Sequence, residues 1–317
     1  MTSAELASSR LAQNLKKWAA EYGFSNCRIA RAGFLEEEAP RLEKWLNEEK
    51  HGKMAYMANH FGKRLDPRLL VEGTKSVITL VFNYFPEKDQ LSKGDFRISR
   101  YAYGEDYHKV LKSKLKLLWH KMEEEIGQVE GRIFVDSAPV LEKAWAARNG
   151  TGWMGKNTNI IHPKAGSYFF LCEMLVNLEL EADPPMPDHC GSCTRCIDAC
   201  PTDALATPYQ IDASRCISYL TIELKEAIPD SFRGKMDNWI FGCDICQEVC
   251  PWNQKFSLAH KEDAFQILPG LEDFSKKEWL DLSEEVFGKV FARSAMKRTG
   301  FAGLKRNIAF IQNNNNP

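Results

Sequence analysis

Leu11, Leu15, Trp18 and Tyr22 recur at helical spacing within a charged stretch, so the chain opens on an amphipathic helix. "NCRIAR" (26–31) predicts a strand, and a charged helix is expected around residues 35–50. "KSVITLVFNY" (75–84) is dense in β-branched and aromatic residues and predicts a buried strand. The period is helical again over 106–126, where Val110, Leu111, Leu115, Leu118 and Met122 share one face of a long basic helix. "GRIFVD" (131–136) predicts a further strand, "PVLEKAWAARNG" (139–150) a helix ended by glycine, and "GSYFFLCEMLVNLEL" (166–180) a long strand. Alternation of this kind indicates an α/β or α+β sheet domain.

The proline-rich, polar stretch "EADPPMPD" (181–188) is the clearest boundary. It divides a sheet domain at 1–180 from a cysteine-rich module at 181–256. Residues 257–317 read as a short helical extension, and the closing "QNNNNP" as a low-complexity tail expected to be disordered.

Composition narrows the class. The 317 residues are 44% hydrophobic and 27% charged, an ordinary globular balance. A formal net charge of −1 leaves no global field, so any nucleic-acid surface must be a local patch. No apolar run approaches the ~18 residues of a membrane span. The N-terminus lacks the apolar core of an export signal, so a cytoplasmic protein is expected.

The cysteines carry the chemistry. Of ten, eight fall between residues 190 and 250, whereas Cys27 and Cys172 stand alone in strand-like sequence and read as buried structural thiols. In the cytoplasm, clustered cysteines are metal ligands or catalysts rather than disulfides. Cys190-x2-Cys193-x2-Cys196-x3-Cys200-Pro201 has the spacing of bacterial ferredoxins, in which the fourth cysteine ligates the other cluster. The second run, Cys243-x2-Cys246-x3-Cys250-Pro251, is one ligand short, and Cys216 can supply it. One [4Fe–4S] cluster then takes Cys190, Cys193, Cys196 and Cys250, and the other Cys216, Cys243, Cys246 and Cys200. Paired four-cysteine zinc sites are the alternative, but zinc ribbons use two C-x2-C knuckles and not this run. A free-standing ferredoxin needs no additional domain of this size, so the module is expected to feed electrons to the N-terminal domain.

Two other motifs fail on context. "GTGWMG" (150–155) matches a dinucleotide fingerprint but follows a helix instead of a strand, and "GTGWMGKN" has Asn157 where a P-loop needs Ser or Thr. A glycine-rich turn whose backbone approaches a large ligand is the reading kept. "DYHKVL" has Leu111 where the D-x-H-x-x-G loop of corrinoid proteins has glycine, so His108 is expected at the surface or lining a site.

Together, "ISRYAYGEDYH", "VDSAPVLEKAWAARNGTGWMGKNT", "GSYFFL", the first cysteine run, "RCISYLTIEL" and "GCDICQEVCPWN" closely resemble the epoxyqueuosine reductases over residues 1–310. The resemblance implies an α+β protein. Its N-terminal cobalamin-binding domain would be like that of reductive dehalogenases, followed by a ferredoxin-like domain with two [4Fe–4S] clusters. It implies a cob(II)alamin cofactor, whose cob(I)alamin form is the reductant, and reduction of epoxyqueuosine at the tRNA wobble position. That is the last step of queuosine biosynthesis. The proton donor on the matching motif is Asp136. Cobalamin contacts fall at Asn59, Ser99, Asp136, Ile160, Leu171, Ser218, Cys243 and Asp244, and a tRNA contact at Lys225. Asn59 stands where many members carry arginine. Longer members also continue into a helical-repeat domain after the stretch matching "GLKRNIAFI".

Asp136 is expected to be buried with a raised pKa, as suits a general acid. Taken alone, "DSAP" before a helix reads as an N-cap, with Ser137 a second capping candidate. An anticodon-loop substrate calls for basic residues near the corrin. "KVFARSAMKRTGFAGLKRN" (289–307) supplies them, and Lys109, Lys112, Lys114 and Lys116 either join that surface or form an ordinary solvated helix face. The expected partners are the modified tRNA and an external low-potential electron donor, with no membrane, and the chain is expected to be a monomer. The alternatives are a small-molecule cobalamin reductase of the dehalogenase kind and an iron–sulfur electron-transfer module without chemistry of its own.

Overall fold

Two long apolar strands with no polar face set the centre of the N-terminal half. The computed structural model describes residues 2–89, 91 and 95–312, with backbone alone at Ala4, so the tail beyond Gln312 lies outside the described residues. Up to residue 180 the elements are α1 (Ser3–Glu21), β1 (Asn26–Arg31), α2 (Glu38–Asn47), α3 (Phe61–Leu65), β2 (Ser76–Asn83) and β3 (Arg97–Ile98). Then come α4 (Tyr107–Ile126), β4 (Gly131–Phe134), α5 (Glu142–Arg148), β5 (Trp153–Met154), β6 (Ile160–Ile161) and β7 (Phe169–Val176). The rest is helical apart from β8 (Trp239–Phe241): α6 (Arg195–Asp198), α7 (Ile217–Ile222), α8 (Ile245–Glu248), α9 (Pro251–Phe256), α10 (Lys276–Leu280), α11 (Glu284–Val290) and α12 (Gly300–Gln312).

β1, β2, β7 and β4 form one sheet in that order, antiparallel at every pairing. This is the α+β arrangement. One face packs Ile78, Leu80, Cys172 and Met174 under Leu15 of α1 and Leu111, Leu115 and Met122 of α4. The other packs Val77, Leu175 and Phe134 under Leu42 of α2 and Trp145 of α5. Cys27 and Cys172 are buried within these layers, and burial pushes the Cys27 thiol up to about 12. Neither is a nucleophile.

The helix expected from Pro139 begins only at Glu142, and its N-cap Leu141 makes no side-chain capping bond. Neither Asp136 nor Ser137 caps it. Residues 135–141 are instead a loop, in which Asp136 takes a left-handed φ of 45°. Non-glycine residues reach that conformation at a cost, and it is one that marks sites more often than scaffolds.

β3 pairs in parallel with β8, tying the chain before Tyr103 to the cysteine module. Ile98, Tyr103, Leu220, Trp239 and Phe241 join Leu271, Trp279, Leu304 and Ile308 in one core, so the last helices pack directly on that module. α12 also closes the end of α7. Asn307 Nδ2 donates to the Thr221 and Ile240 carbonyls at 2.8 Å each. The Arg306 guanidinium donates to the carbonyls of Leu220, Leu224 and Glu226. Terminal helix carbonyls have no partner within the helix, and these two side chains provide one. Among the described residues no helix is long and apolar enough to cross a membrane.

Asn307→Leu keeps the volume and removes the amide donors from two buried carbonyls, those of Thr221 and Ile240. Thermal unfolding should show a loss of about 2–4 kcal/mol.

Candidate active site and cluster module

No cysteine is paired in a disulfide. Cys190, Cys193, Cys196 and Cys250 line one cavity of about 390 Å³, with Trp252, Phe256 and Ile161 as apolar wall. Three of the four come from the first run and the last from the second. Burial, followed by the neighbouring thiols Cys190, Cys250 and Cys193, pushes Cys196 up to about 11. The remaining thiols form a second group: Cys243 is pushed up by burial and then by Cys216 and Cys246, and Cys216 by burial and by Cys200. Cys246 meets Cys216, Cys196 and Cys200, so the two groups adjoin. Thiols that raise one another's pKa this way ask for cations among them. The soft sulfur set fits iron–sulfur clusters.

The glycine-rich turn has a different duty from the one expected. A Cβ on Gly150 would lie 2.2 Å from the Pro184 carbonyl oxygen, and one on Gly152 would lie 2.4 Å from that of Ile161. At Gly150 and Gly152 the absence of a side chain lets protein backbone approach. The residues that follow hold the cysteine loops in place. Lys156 Nζ donates to the Gly191 and Cys193 carbonyls at 2.7 and 3.0 Å, and Asn157 Nδ2 to the Cys246 carbonyl at 3.2 Å.

Asp136 lies where the sheet domain meets this module. Tyr107 OH donates to its Oδ2 at 2.5 Å, and His108 Nε2 lies 3.6 Å from the same oxygen. His108 Nδ1 is 2.7 Å from Asp106 Oδ1, giving an Asp106–His108–Asp136 string. Arg298 Nη2 stands 4.0 Å from Asp106. The expected buried aspartate with a raised pKa is not what forms. Its side chain is 61% exposed, and although desolvation pulls its pKa up, the bonds from His108 and Tyr107 outweigh this and hold it below the usual carboxylate value. His108 moves the other way: burial lowers it, but Asp106 and Asp136 raise it further.

Sequence reasoning missed several groups around this acid. Lys143 is exposed, yet desolvation first of all lowers its pKa, while Cys246, Asp136, Glu142 and Cys216 oppose that. Exposed groups that protein nonetheless desolvates lie in a concave part of the surface, a recess in which Tyr101 and Tyr107 pack edge to face. Burial, then Glu223 and Asp136, pushes Tyr56 up to about 12. "VLEK" directly after the acid was the available sign for Glu142 and Lys143. Glu142 Oε1 accepts the Asp136 backbone N–H at 2.7 Å.

Other expected contacts scatter in kind. Ser99 and Asp244 are buried and hydrogen-bonded to each other, and Arg100 Nη1 meets Asp244 Oδ2 at 3.0 Å, so these side chains serve the protein. Ile160 is buried in β6, and Leu171 and Ser218 are half-buried on β7 and α7. Asn59 is exposed, and its carbonyl accepts from Arg64, which also binds the Tyr56 carbonyl. Lys225 is exposed, with Nζ donating to the Ile222 carbonyl at 2.9 Å. Of the basic tail, Lys305 and Arg306 donate to the protein's own carbonyls and are not free for RNA. Lys297 and Arg298 are exposed, as are Lys109, Lys112 and Lys116, whereas Lys114 pairs with Glu262 at 2.7 Å.

Residues 189–253 match the family described as "4Fe-4S double cluster binding domain", and residues 64–137 match "Epoxyqueuosine reductase QueG, DUF1730". The epoxyqueuosine reductase of Leadbetterella byssophila is 58% identical over 300 residues, covering 95% of this chain and 98% of that protein. The chain belongs to the epoxyqueuosine reductase family. A crystal structure of an epoxyqueuosine reductase with an epoxyqueuosine-modified tRNA-Tyr stem loop aligns with a TM-score of 0.87 at 32% identity, covering 95% of this chain and 80% of that one. An epoxyqueuosine reductase from Bacillus subtilis, captured with its catalytic aspartate loop swung out of the active site, aligns at 0.85 and 31% identity with the same coverage.

If the first thiol group holds one cluster across the two runs, Cys250→Ala should damage the cluster of the first run. Iron analysis and EPR test this; an unchanged complement of about eight irons per chain would refute it.

Proposed function

We propose that this chain reduces the epoxide of epoxyqueuosine in tRNA to the alkene of queuosine, with Asp136 as the acid at the reacting oxygen. The observation that carries the reading is the Asp106–His108–Asp136 string with Tyr107 on the same carboxylate oxygen, next to Lys143, which feels the charge of both Asp136 and the Cys246 and Cys216 thiols. Proton delivery and electron supply thus converge on one recess. We assign Cys190, Cys193, Cys196 and Cys250 to one [4Fe–4S] cluster and Cys216, Cys243, Cys246 and Cys200 to the other. When bound, the clusters supply single electrons and a corrinoid the low-potential nucleophile.

Converting an epoxide to an alkene and water consumes two electrons and two protons. Asp136 is ionised at neutral pH, the more firmly for the bond from Tyr107 and the nearby His108, so it must be charged with a proton before it can give one. His108, whose affinity for a proton is raised by Asp106 and Asp136, holds one next to Asp136 Oδ2. Tyr107 OH touches the same oxygen and orients it. The same string reloads Asp136 for the second proton. The Asp136 loop (135–141) takes an inner and an outer position, as the Bacillus subtilis relative's outward loop suggests. Lys297 and Arg298 carry exposed charge on the Asp106 side of the recess and contact RNA phosphates, with Lys225 a further tRNA contact. A tRNA substrate implies a cytoplasmic reaction, and the electrons come from an external low-potential donor.

Asp136→Asn keeps the shape and removes the transferable proton. With folding, iron content and cobalamin binding intact, reduction of epoxyqueuosine in tRNA should fall roughly 10²- to 10⁴-fold, read by nucleoside mass spectrometry. Near-normal turnover would rule Asp136 out as the acid. Neutralising Lys297 and Arg298 should weaken tRNA binding and lower the slope of log affinity against log salt by about one for each phosphate left without its cation. An unchanged slope would remove both from the interface.

A further inference from the structure

Glu173 is an anomaly in the middle of the sheet. It sits on β7 directly between Thr79 of β2 and Phe134 of β4 and is 0% exposed. Neither carboxyl oxygen has a regular hydrogen-bond partner, nor does the Thr79 hydroxyl. An ionised carboxylate cannot stay in such a place, so Glu173 is a neutral acid in need of an acceptor for its proton. The group within its reach is the carboxyl of Glu142. Glu142, the first residue of α5, is half-buried, and its Oε1 accepts the Asp136 N–H at 2.7 Å.

We propose that Glu142 and Glu173 are positioning residues for Asp136: a proton shared between the two carboxyls keeps Glu142 on the Asp136 N–H and so latches the catalytic loop inward. Asp136 is strained at φ 45°, and the bond to Glu142 holds its backbone N–H against that strain. Burial, then Asp136, pushes Glu142 up to about 7, and burial, then Glu142 and Asp136, pushes Glu173 well above the carboxylate range. The other titratable groups around the pair are Lys143 beside it on α5, Tyr107 on α4 and the Cys172 thiol on β7.

The pair therefore loses its protons in two steps that belong to both residues. The first, near 7, leaves one proton between them and a charged Glu142 oxygen, the stronger acceptor for the Asp136 N–H. The second leaves two like charges together. Glu173 is fixed in the sheet, so Glu142 turns to water and the loop is released. The latch is thus present while the pair keeps its last proton and is lost as pH rises through the second step.

Amide hydrogen exchange on the iron-loaded protein reads this directly, through the peptide covering residues 134–141, with β2 amides as control for global opening. Protection of the Asp136 amide, corrected for intrinsic rate, should fall at least about tenfold between pH 7 and 10. In Glu173→Gln, which keeps a permanent N–H donor facing Glu142, that fall should vanish. In Glu142→Ala protection should be lost at every pH. Equal protection in Glu142→Ala, or a Glu173→Gln protein that loses protection as the wild type does, overturns the latch. Should Glu142→Ala fail to fold, the near-isosteric Glu173→Gln decides alone. The consequence for turnover rests on the reductase reading, but amide exchange requires no turnover, so the two stand or fall separately.

Discussion

The buried ion pair between Arg100 and Asp244 is the joint on which the rest of the molecule depends. Arg100 follows β3 and Asp244 lies between Cys243 and Cys246, so their 3.0 Å contact fixes the second thiol group relative to the sheet domain. Ser99, Glu248 and Asp89 join the cage, and the parallel pairing of β3 with β8 lies beside it. Buried pairs of this kind add little net stability, but breaking one partner is costly, and they specify a single arrangement. Here that arrangement sets where the second thiol group sits relative to the sheet domain.

The recess explains the unusual electrostatics. Asp136, Lys143 and Tyr56 are open to solvent, yet desolvation is the first influence on each of them. Partners then decide the outcome: Asp136 ends below its ordinary value because two donors meet it, and His108 above its own because two carboxylates do. In the proposed role, Asp136 would rest ionised and be reloaded through His108, unlike a permanently protonated acid, and that suits a reaction consuming two protons per turnover.

The acid is held from two sides. From α4, Tyr107 and His108 grip its side chain. From α5, Glu142 grips its backbone N–H, backed by Glu173 in the sheet. A left-handed residue in a seven-residue loop between a strand and a helix would otherwise have little to keep it inward. The proposed latch would join the position of Asp136 to the protonation state of the neighbouring carboxyls.

Much of this was legible in the chain alone. The strand at 76–83, the stripe of Leu111, Leu115, Leu118 and Met122, and the double-cluster spacing all follow from local periodicity or from short-range ligand geometry, which neighbours along the chain determine. The segments "VDSAP" and "ISRYAYGEDYH" pointed to the site instead through their resemblance to the family. What only the tertiary structure decided depends on groups far apart in sequence. The charge state of Asp136 is set by α4, some thirty residues earlier. Arg306 and Lys305 look like RNA contacts until α7 and α10 offer them bare carbonyls. The glycines of 150–155 look like a ligand turn until Ile161 and Pro184 fill the space above them. A side chain's chemistry is written in the sequence, but its pKa, its partner and its freedom are properties of what the fold brings against it.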